Sequence, residues 1–208
     1  MSDERWQALG IPRRGFLKKA GTIAFVAPVV VSFGLEGTAE AGSSVRQLNP
    51  NQCYPNQACP HYGKTINGTH FGPLEITSGQ SVLVSGAIID GPVTVESGGG
   101  LGIEKSVING AIRANGATSI VMHGSTLHGP VTITASTRFI SIGGTDACGT
   151  GNNSFYGPVM VTDNQGETYF QNNNVYGPLT VTGNSPPVGT SGNTVDGTQD
   201  VQPTVPFC

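Results

Sequence analysis

Paired carboxylates are the first residues in this sequence that could do chemistry, because enzymes that cleave polysaccharides use them as acid, base or nucleophile. Among the acidic residues after position 41, only Glu75 and Glu96 are expected to lie near each other on an outward surface, with Arg113 beside them. This trio would suit a polysaccharide lyase or hydrolase, and a solvated charged edge is the competing interpretation. The sequence contains no nucleophile-elbow motif and no glycine run that leads into a phosphate-binding helix.

A second set of candidate residues is aromatic and could bind a ligand. His128, Tyr156 and Tyr176 each directly precede the glycine of a recurring Gly-Pro pair. If equivalent positions stack at strand spacing, these rings form an exposed stripe suited to sugar rings or to a protein contact. The alternative is that each tyrosine covers a neighbouring proline as local packing. In chain order, this position holds Phe71, Asp90, Asn109, His128, Tyr156, Tyr176 and Asp196.

Four cysteines form the third set: Cys53, Cys59, Cys148 and Cys208. An even number of cysteines in an exported chain favours two disulfides. We expect Cys53 to pair with Cys59 in an N-terminal cap and Cys148 to pair with Cys208, and the two other connectivities stay open. A metal site of Cys53, Cys59 and His61 lacks the usual zinc-ligand spacing and a fourth ligand. We expect no metal and no cofactor.

An internal repeat must position these residues. Gly-Pro followed by a β-rich run occurs five times, as in Gly129-Pro130-Val131-Thr132-Ile133-Thr134. A degenerate copy begins at Gly110 and a last copy at Gly197. Successive repeat glycines are 19, 19, 19, 28, 20 and 20 residues apart, and the long interval predicts an insertion within Ser141–Asn152. The repeat glycines are 72, 91, 110, 129, 157, 177 and 197.

Alternation within each copy predicts strands with one buried side. Residues two and four positions after the repeat glycine are apolar in all six copies from Gly72 to Gly177, and those three and five positions after it are mostly polar. A second apolar run per copy appears in segments such as Ser81-Val82-Leu83-Val84. Stacking equivalent strands at about 4.8 Å per coil would bury a continuous core. The sequence therefore predicts an all-β, single-stranded parallel β-helix (β-solenoid) of six to seven coils, each of 19–20 residues.

The position four residues before the repeat glycine adds a further sign of stacking. It holds Ala87, Ser106, Ser125, Asn153, Asn173 and Asn193. Three successive asparagines predict a ladder of side-chain amides inside the coil, since stacked amides satisfy each other's donors and acceptors.

The coil length, the Gly-Pro-[Val/Leu]-Thr-[Val/Ile]-Thr strand and the asparagine column resemble the right-handed parallel β-helix repeat proteins that bacteria secrete. The resemblance covers residues 64–205. We take right-handed coils as the default, because parallel crossovers nearly always have that hand. The resemblance implies an architecture and no single activity, since the group includes polysaccharide lyases and hydrolases, adhesins and surface proteins.

The N-terminal 41 residues match an export signal. Arg13 and Arg14, followed by Gly15-Phe16-Leu17-Lys18, closely resemble the twin-arginine signal. An apolar run and the small-x-small sequence Ala39-Glu40-Ala41 follow, as in a cleaved signal peptide. A retained membrane anchor is the alternative, but the apolar run is shorter than the roughly 20 residues of a spanning helix. We expect residues 42–63 to form a cap segment and residues 206–208 a C-terminal tail.

The balance of charged residues limits which classes of molecule the chain can bind. After position 41 the chain has five basic and nine acidic residues, so it offers no basic face for nucleic acid. We predict an exported, non-enzymatic structural or binding module at the cell surface, in the periplasm or outside the cell. A polysaccharide or a cell-envelope component is the expected partner, and no membrane association is expected after signal cleavage. A polysaccharide lyase or hydrolase is the alternative, and an ice-binding or self-assembling protein, suggested by outward Thr-x-Thr pairs, is the third interpretation.

Overall fold

A computed structural model describes residues 59–146, 148–186 and 188–203. They form an all-β parallel β-solenoid of about seven turns without a helix, which confirms the predicted fold class. None of these residues belongs to a helix that is long and apolar enough to cross a membrane. The export motif with Arg13 and Arg14, and the cysteines Cys53 and Cys208, lie outside the described residues.

Twenty-one short strands build the described part of the chain. The first seven are β1 (Lys64–Phe71), β2 (Leu74–Ile76), β3 (Ser81–Asp90), β4 (Val93–Val95), β5 (Gly100–Glu104), β6 (Val107–Ile108) and β7 (Ile112–Asn115). The next seven are β8 (Ser119–His123), β9 (Thr126–Leu127), β10 (Val131–Thr134), β11 (Ile140–Ile142), β12 (Thr145–Asp146), β13 (Gly149–Thr150) and β14 (Ser154–Phe155). The last seven are β15 (Val159–Thr162), β16 (Thr168–Gln171), β17 (Asn174–Val175), β18 (Leu179–Thr182), β19 (Gly189–Ser191), β20 (Thr194–Val195) and β21 (Gln199–Val201).

Parallel pairing between successive coils arranges the strands on three faces. The Gly-Pro face consists of β2, β4, β7, β10, β15, β18 and β21. β3 turns a corner, so its first half pairs with β5 and its second half with β6. We call the face that contains the first half of β3 the first face; it continues through β5, β8, β11, β16 and β19. The second face contains the second half of β3 and continues through β6, β9, β14, β17 and β20.

Stacked glycines set the register of the Gly-Pro face. A Cβ atom on Gly91, Gly110 or Gly129 would collide with the backbone carbonyl of the repeat glycine one coil earlier. Only glycine allows this close backbone approach, which explains why the residue recurs. In the strands that follow these glycines, inward residues such as Val131 and Ile133 are buried, and the alternate residues point outward.

Apolar side chains from all three faces meet in one continuous core along the axis. Each buried Val, Leu or Ile side chain contributes about 1.5–3 kcal/mol relative to an exposed one. The stacking of equivalent strands, rather than any one strand, therefore supplies the apolar contribution to the free energy of folding.

The predicted asparagine ladder is confirmed. Asn173 is fully buried and its side-chain nitrogen donates to the carbonyl of Ile142 (2.9 Å) and to Oδ1 of Asn193 (3.1 Å). Its own Oδ1 accepts a hydrogen bond from the Asn153 side chain (3.0 Å). One amide thus connects neighbouring coils on both sides.

A second ladder, absent from the sequence-based expectations, lies at the corner between the Gly-Pro face and the first face. The Asn164 side chain donates to Oδ1 of Asn184 (2.7 Å), and the Ser136 backbone N–H donates to Oδ1 of Asn164 (2.9 Å). Gln202 ends the ladder, because its Oε1 accepts from the Asn184 backbone N–H (2.8 Å).

The predicted insertion forms a hairpin. β12 and β13 pair antiparallel, with Thr145 opposite Thr150 and Asp146 opposite Gly149. Cys148 lies in the turn between them. The hairpin leaves the coil after β11, and the solenoid resumes at β14 in register with β9.

Candidate functional site

The aromatic stripe consists of His128, Tyr156 and Tyr176, and each residue directly follows a strand of the second face. Strands β9, β14 and β17 are in register, so equivalent positions lie one above another. The ring centroids of His128 and Tyr156 are 5.1 Å apart with planes inclined by 19°. Those of Tyr156 and Tyr176 are 4.8 Å apart with planes inclined by 16°. The rings therefore form the stacked row that the repeat predicts.

The backbone holds the aromatic stripe to the coil spacing. The N–H of Tyr156 donates to the carbonyl of Leu127, and the N–H of Tyr176 donates to the carbonyl of Phe155, both at 2.8 Å. About half of each tyrosine remains exposed, 52% and 49% respectively. Because the main chain fixes the row, a ligand would meet rings that are already ordered, which reduces the entropic cost of binding.

Tyr156 and Tyr176 pack against neighbouring aromatic rings, and the interpretation in which each tyrosine covers a proline stays a prediction. Pro158 and Pro178 are both exposed, although a tyrosine precedes each Gly-Pro pair. The rings of Tyr156 and Tyr176 instead contact one another. Aromatic stacking of this kind contributes about 0.5–1.5 kcal/mol per pair.

Stacking determines which parts of the rings a ligand can reach. Both faces of Tyr156 are covered by its neighbours, so this ring presents its edge and its hydroxyl group. The outward faces of His128 and Tyr176, at the two ends of the aromatic stripe, are not covered by a stripe ring. A ligand can therefore accept or donate hydrogen bonds along the row and stack at its ends.

The acidic trio does not form an enclosed site. Glu75 and Arg113 share one column of the Gly-Pro face, with Thr94 between them, so they are two coils apart. Glu96 follows β4 on the intervening coil, and the three charged side chains are exposed. No ion pair is found among these described residues. A groove of about 640 Å³ beside β1, β2 and β3 is lined by Glu75 but not by Glu96 or Arg113.

Buried polar residues on the outer side of the first face, away from the core, form a site that was not predicted from the sequence. His123, at the end of β8, is only 2% exposed, and its Nε2 lies 3.4 Å from Oδ1 of Asp146 in the hairpin. Asp146 also accepts hydrogen bonds from the Ser141 hydroxyl and from the backbone N–H groups of Cys148 (2.7 Å) and Gly149 (3.0 Å). We call these residues, with Cys59 and Tyr62, the hairpin cluster.

Hydrogen bonding dominates the electrostatics of Asp146. Burial alone would raise the pKa of this carboxyl group, because a buried charge is poorly solvated. The nearby His123 imidazole, together with hydrogen bonds from the Ser141 hydroxyl and the Cys148 N–H, outweighs burial and holds the pKa of Asp146 below its ordinary value. Asp146 is therefore a charged anchor for the hairpin rather than a proton donor.

The hairpin cluster brings together two cysteines that the sequence placed in different pairs. The sulfur atoms of Cys59 and Cys148 are 2.6 Å apart and are not bonded to each other. We expected Cys59 to lie beside Cys53, and Cys148 beside Cys208. The structure instead juxtaposes one cysteine from each expected pair, because the segment before β1 crosses the first face at the level of the hairpin.

The surroundings of Cys148 disfavour a reactive thiolate. Burial, the hydrogen bond with Cys59 and the nearby carboxylates of Asp146 and Glu104 all raise the pKa of Cys148 far above that of a free thiol. Burial also raises the pKa of Tyr62, with Cys148 and Glu104 adding to the effect. The cluster lacks the electropositive environment that activates catalytic cysteines.

Metal binding finds no support in the part of the chain that the structure describes. No group of three His, Cys, Asp or Glu side chains there is arranged to hold a metal ion. His61, a member of the disfavoured Cys53–Cys59–His61 alternative, is exposed.

No family model, curated protein or solved structure matches this chain. The solenoid fold by itself selects no activity, because function depends on the sites that a fold carries. The aromatic stripe and the hairpin cluster are the two sites on which a functional argument can rest.

Proposed function

We propose that this chain is an exported, non-enzymatic β-solenoid that binds a polysaccharide or another cell-envelope polymer along the aromatic stripe. The observation that carries the proposal is the stacked, half-exposed row of His128, Tyr156 and Tyr176. A row of equivalent groups at a fixed spacing suits a linear polymer better than a compact ligand, because successive units can repeat the same contact.

Charge favours a neutral polymer over an anionic one. After position 41 the acidic residues outnumber the basic ones by nine to five. In the same column, Asn109 lies one coil before the aromatic stripe and Asp196 lies one coil after it, and both are exposed. A polyanion would meet net repulsion at this surface, whereas uncharged hydroxyl groups could hydrogen-bond to the ring edges.

Export rests on the twin-arginine resemblance of the first 41 residues, which favours a mature chain in the periplasm, at the surface or outside the cell. The proposal of a non-enzymatic role is supported by the acidic trio, whose two carboxylates stand on neighbouring coils and do not line the same groove. Most glycoside hydrolases use two carboxyl groups that flank the scissile bond.

Affinity electrophoresis in gels that contain neutral cell-wall or extracellular polysaccharides tests this function. We expect retardation of the full chain, and an affinity at least about tenfold lower for the Tyr156→Ala/Tyr176→Ala double variant, since losing anchoring rings costs more than about 1.4 kcal/mol. Phe71→Ala is the matched control, because Phe71 occupies the same column with 77% exposure but belongs to no stacked pair of the stripe.

Two outcomes would overturn the proposal. Equal retardation of the double variant and the full chain would show that the aromatic stripe does not bind the polymer. Release of shorter oligosaccharides that stops in Glu75→Gln or Glu96→Gln would make the chain a polysaccharide-cleaving enzyme instead.

A further inference from the structure

The approach of Cys59 to Cys148 is supported from both sides by contacts that do not involve sulfur. Near Cys59, the Tyr62 side chain lies on Gly102 of β5, where even a methyl group would collide with the phenol ring. On the other side, Cys148 donates its backbone N–H to Asp146, which also accepts from Ser141 of β11. Each cysteine is therefore held by its own contacts to the first face.

Local packing leaves little freedom for the turn that carries Cys148. A Cβ atom on Gly149 would lie 2.6 Å from Cδ2 of His123, so the turn rests directly on the imidazole ring. His123 is itself buried, and its Nδ1 has no hydrogen-bond partner among the described residues. The hairpin thus covers a polar side chain that would otherwise face solvent.

We propose that Cys59 and Cys148 form a disulfide that fastens the segment before β1 to the hairpin across the outer side of the first face. The bond would join residues that are 89 positions apart in sequence. It would secure both pieces that lie over the first face, because it would join them covalently to each other.

The reaction is a thiol–disulfide exchange with an oxidised partner, either a disulfide-donor protein or a small-molecule disulfide. One cysteine attacks the partner disulfide, and one partner sulfur leaves as a thiol. The second cysteine then attacks the mixed disulfide and releases the other partner sulfur. Two protons and two electrons pass from the cysteine pair to the partner, which ends as two thiols.

Once formed, the bond is expected to resist reduction. When a reductant attacks the sulfur of Cys59, Cys148 must leave as a thiolate, and a thiol with a high pKa leaves slowly. The carboxylates of Asp146 and Glu104 raise the pKa of Cys148, in addition to the effect of burial. The site therefore suits a structural cross-link rather than a redox switch.

Peptide mapping of the full chain after incubation with oxidised glutathione tests the connectivity. Trypsin followed by cleavage after glutamate yields peptide 47–64 with Cys53 and Cys59, peptide 139–167 with Cys148, and peptide 168–208 with Cys208. We expect peptide 47–64 to be linked to peptide 139–167 before reduction and to be released from it after reduction.

The Cys53→Ser/Cys208→Ser variant removes the remaining ambiguity, because only Cys59 and Cys148 can pair in it. We expect no thiol to react with an alkylating reagent in the denatured, oxidised variant, and two to react after reduction. Recovery of an internal disulfide in peptide 47–64, a link between peptides 139–167 and 168–208, or a fully alkylated cysteine pair would each overturn the proposal.

Discussion

The early coils, built by β2 to β9, and the late coils, built by β14 to β21, share one register but turn their corners differently. Four residues connect Asn115 to Ile120 between the Gly-Pro face and the first face of an early coil. Five residues connect the equivalent positions Thr162 and Thr168 of a late coil. This single residue accounts for the change in glycine spacing from 19 to 20.

The longer corner contains a different kind of side chain. In the early coils the corner is filled by small residues such as Ala117, which is fully buried. In the late coils it holds the amides of Asn164 and Asn184, which are joined by a hydrogen bond of 2.7 Å. An amide both donates and accepts, so it can bridge coils in both directions, whereas an alanine contributes only apolar contact.

The corner between the first and second faces also differs between early and late coils, although the number of residues in it is the same. The Ser106 hydroxyl accepts from the N–H of Ala87 (3.1 Å) in the preceding coil and donates to the carbonyl of Glu104 (2.7 Å) in its own coil. It also lies within hydrogen-bond distance of the Val84 carbonyl (3.2 Å), and the Ser106 backbone N–H donates to Oγ of Ser125 (3.1 Å) in the following coil. Asn173, four positions before a late repeat glycine, is bonded to residues on both neighbouring coils. A ladder amide of the late coils therefore bonds both neighbouring coils through its side chain alone, whereas the Ser106 hydroxyl bonds only its own coil and the preceding one.

Replacing an asparagine of the ladder is expected to have the largest effect on stability. Asn173→Ala should lower the free energy of unfolding by about 3 kcal/mol, because it leaves buried groups of Asn153 and Ile142 without a partner. Ser106→Ala, at the equivalent early position, should cost about 1–2 kcal/mol, because it leaves the buried Ala87 N–H without a partner but keeps the backbone bond to Ser125 in the following coil. Urea unfolding followed by circular dichroism measures both values.

Asn115→Ala is the matched control, since this asparagine is exposed on the Gly-Pro face and should change stability by less than about 0.5 kcal/mol. If Asn173→Ala were no more costly than Ser106→Ala, the two sets of coils would not differ in how they are held together, and the contrast would be wrong.

The sequence predicts those features of the architecture that recur at a constant distance from the repeat glycine. The strands, the insertion and the Asn153–Asn173–Asn193 ladder were predicted because each recurs at a constant distance from the repeat glycine. The second ladder was missed although its signal is present. Seven positions after the repeat glycine, the chain holds Gly79, Gly98, Ala117, Ser136, Asn164 and Asn184.

The hairpin cluster could not be predicted in the same way. Its members come from the segment before β1, from β8, from β11 and from the insertion. The first and last of these do not belong to the repeat, so the repeat glycines give no information about where their residues lie. The approach of Cys59 to Cys148 depends on where Tyr62 crosses the first face, which is a tertiary contact without a periodic signal. The expected pairs followed sequence proximity and chain ends instead.

Asp146 offers a second test, at the junction of the early and late coils. Its carboxylate connects His123 of β8 with Ser141 of β11. Because its pKa is lower in the folded chain than in the unfolded chain, the charged form stabilises the fold above about pH 4 and loses this effect as the pH falls through the folded value.

Asp146→Asn should therefore lower the free energy of unfolding at pH 7 by about 1–2 kcal/mol and flatten its decline below about pH 4. Urea unfolding at a series of pH values measures both effects. Asp200→Asn is the control, because Asp200 is exposed on β21. An identical acid profile for Asp146→Asn and the unmodified chain would show that the hairpin is not anchored through this carboxylate.

The smallest expected effect concerns the backbone at the lengthened corner. Ala135 adopts a left-handed conformation with φ of 52°, immediately before Ser136 of the second ladder. The early coils have a left-handed glycine at the equivalent position, as at Gly116 with φ of 70°, or one position further along, as at Gly79 with φ of 77°. Ala135→Gly should raise the free energy of unfolding by about 0.5–1 kcal/mol, because a left-handed alanine is strained. Gly79→Ala should lower it by a similar amount, since its Cβ would meet no atom within 4 Å and only the backbone conformation is penalised. Thermal unfolding of the two variants measures both shifts, and a destabilised Ala135→Gly would mean that the alanine methyl group contributes packing that outweighs its backbone strain.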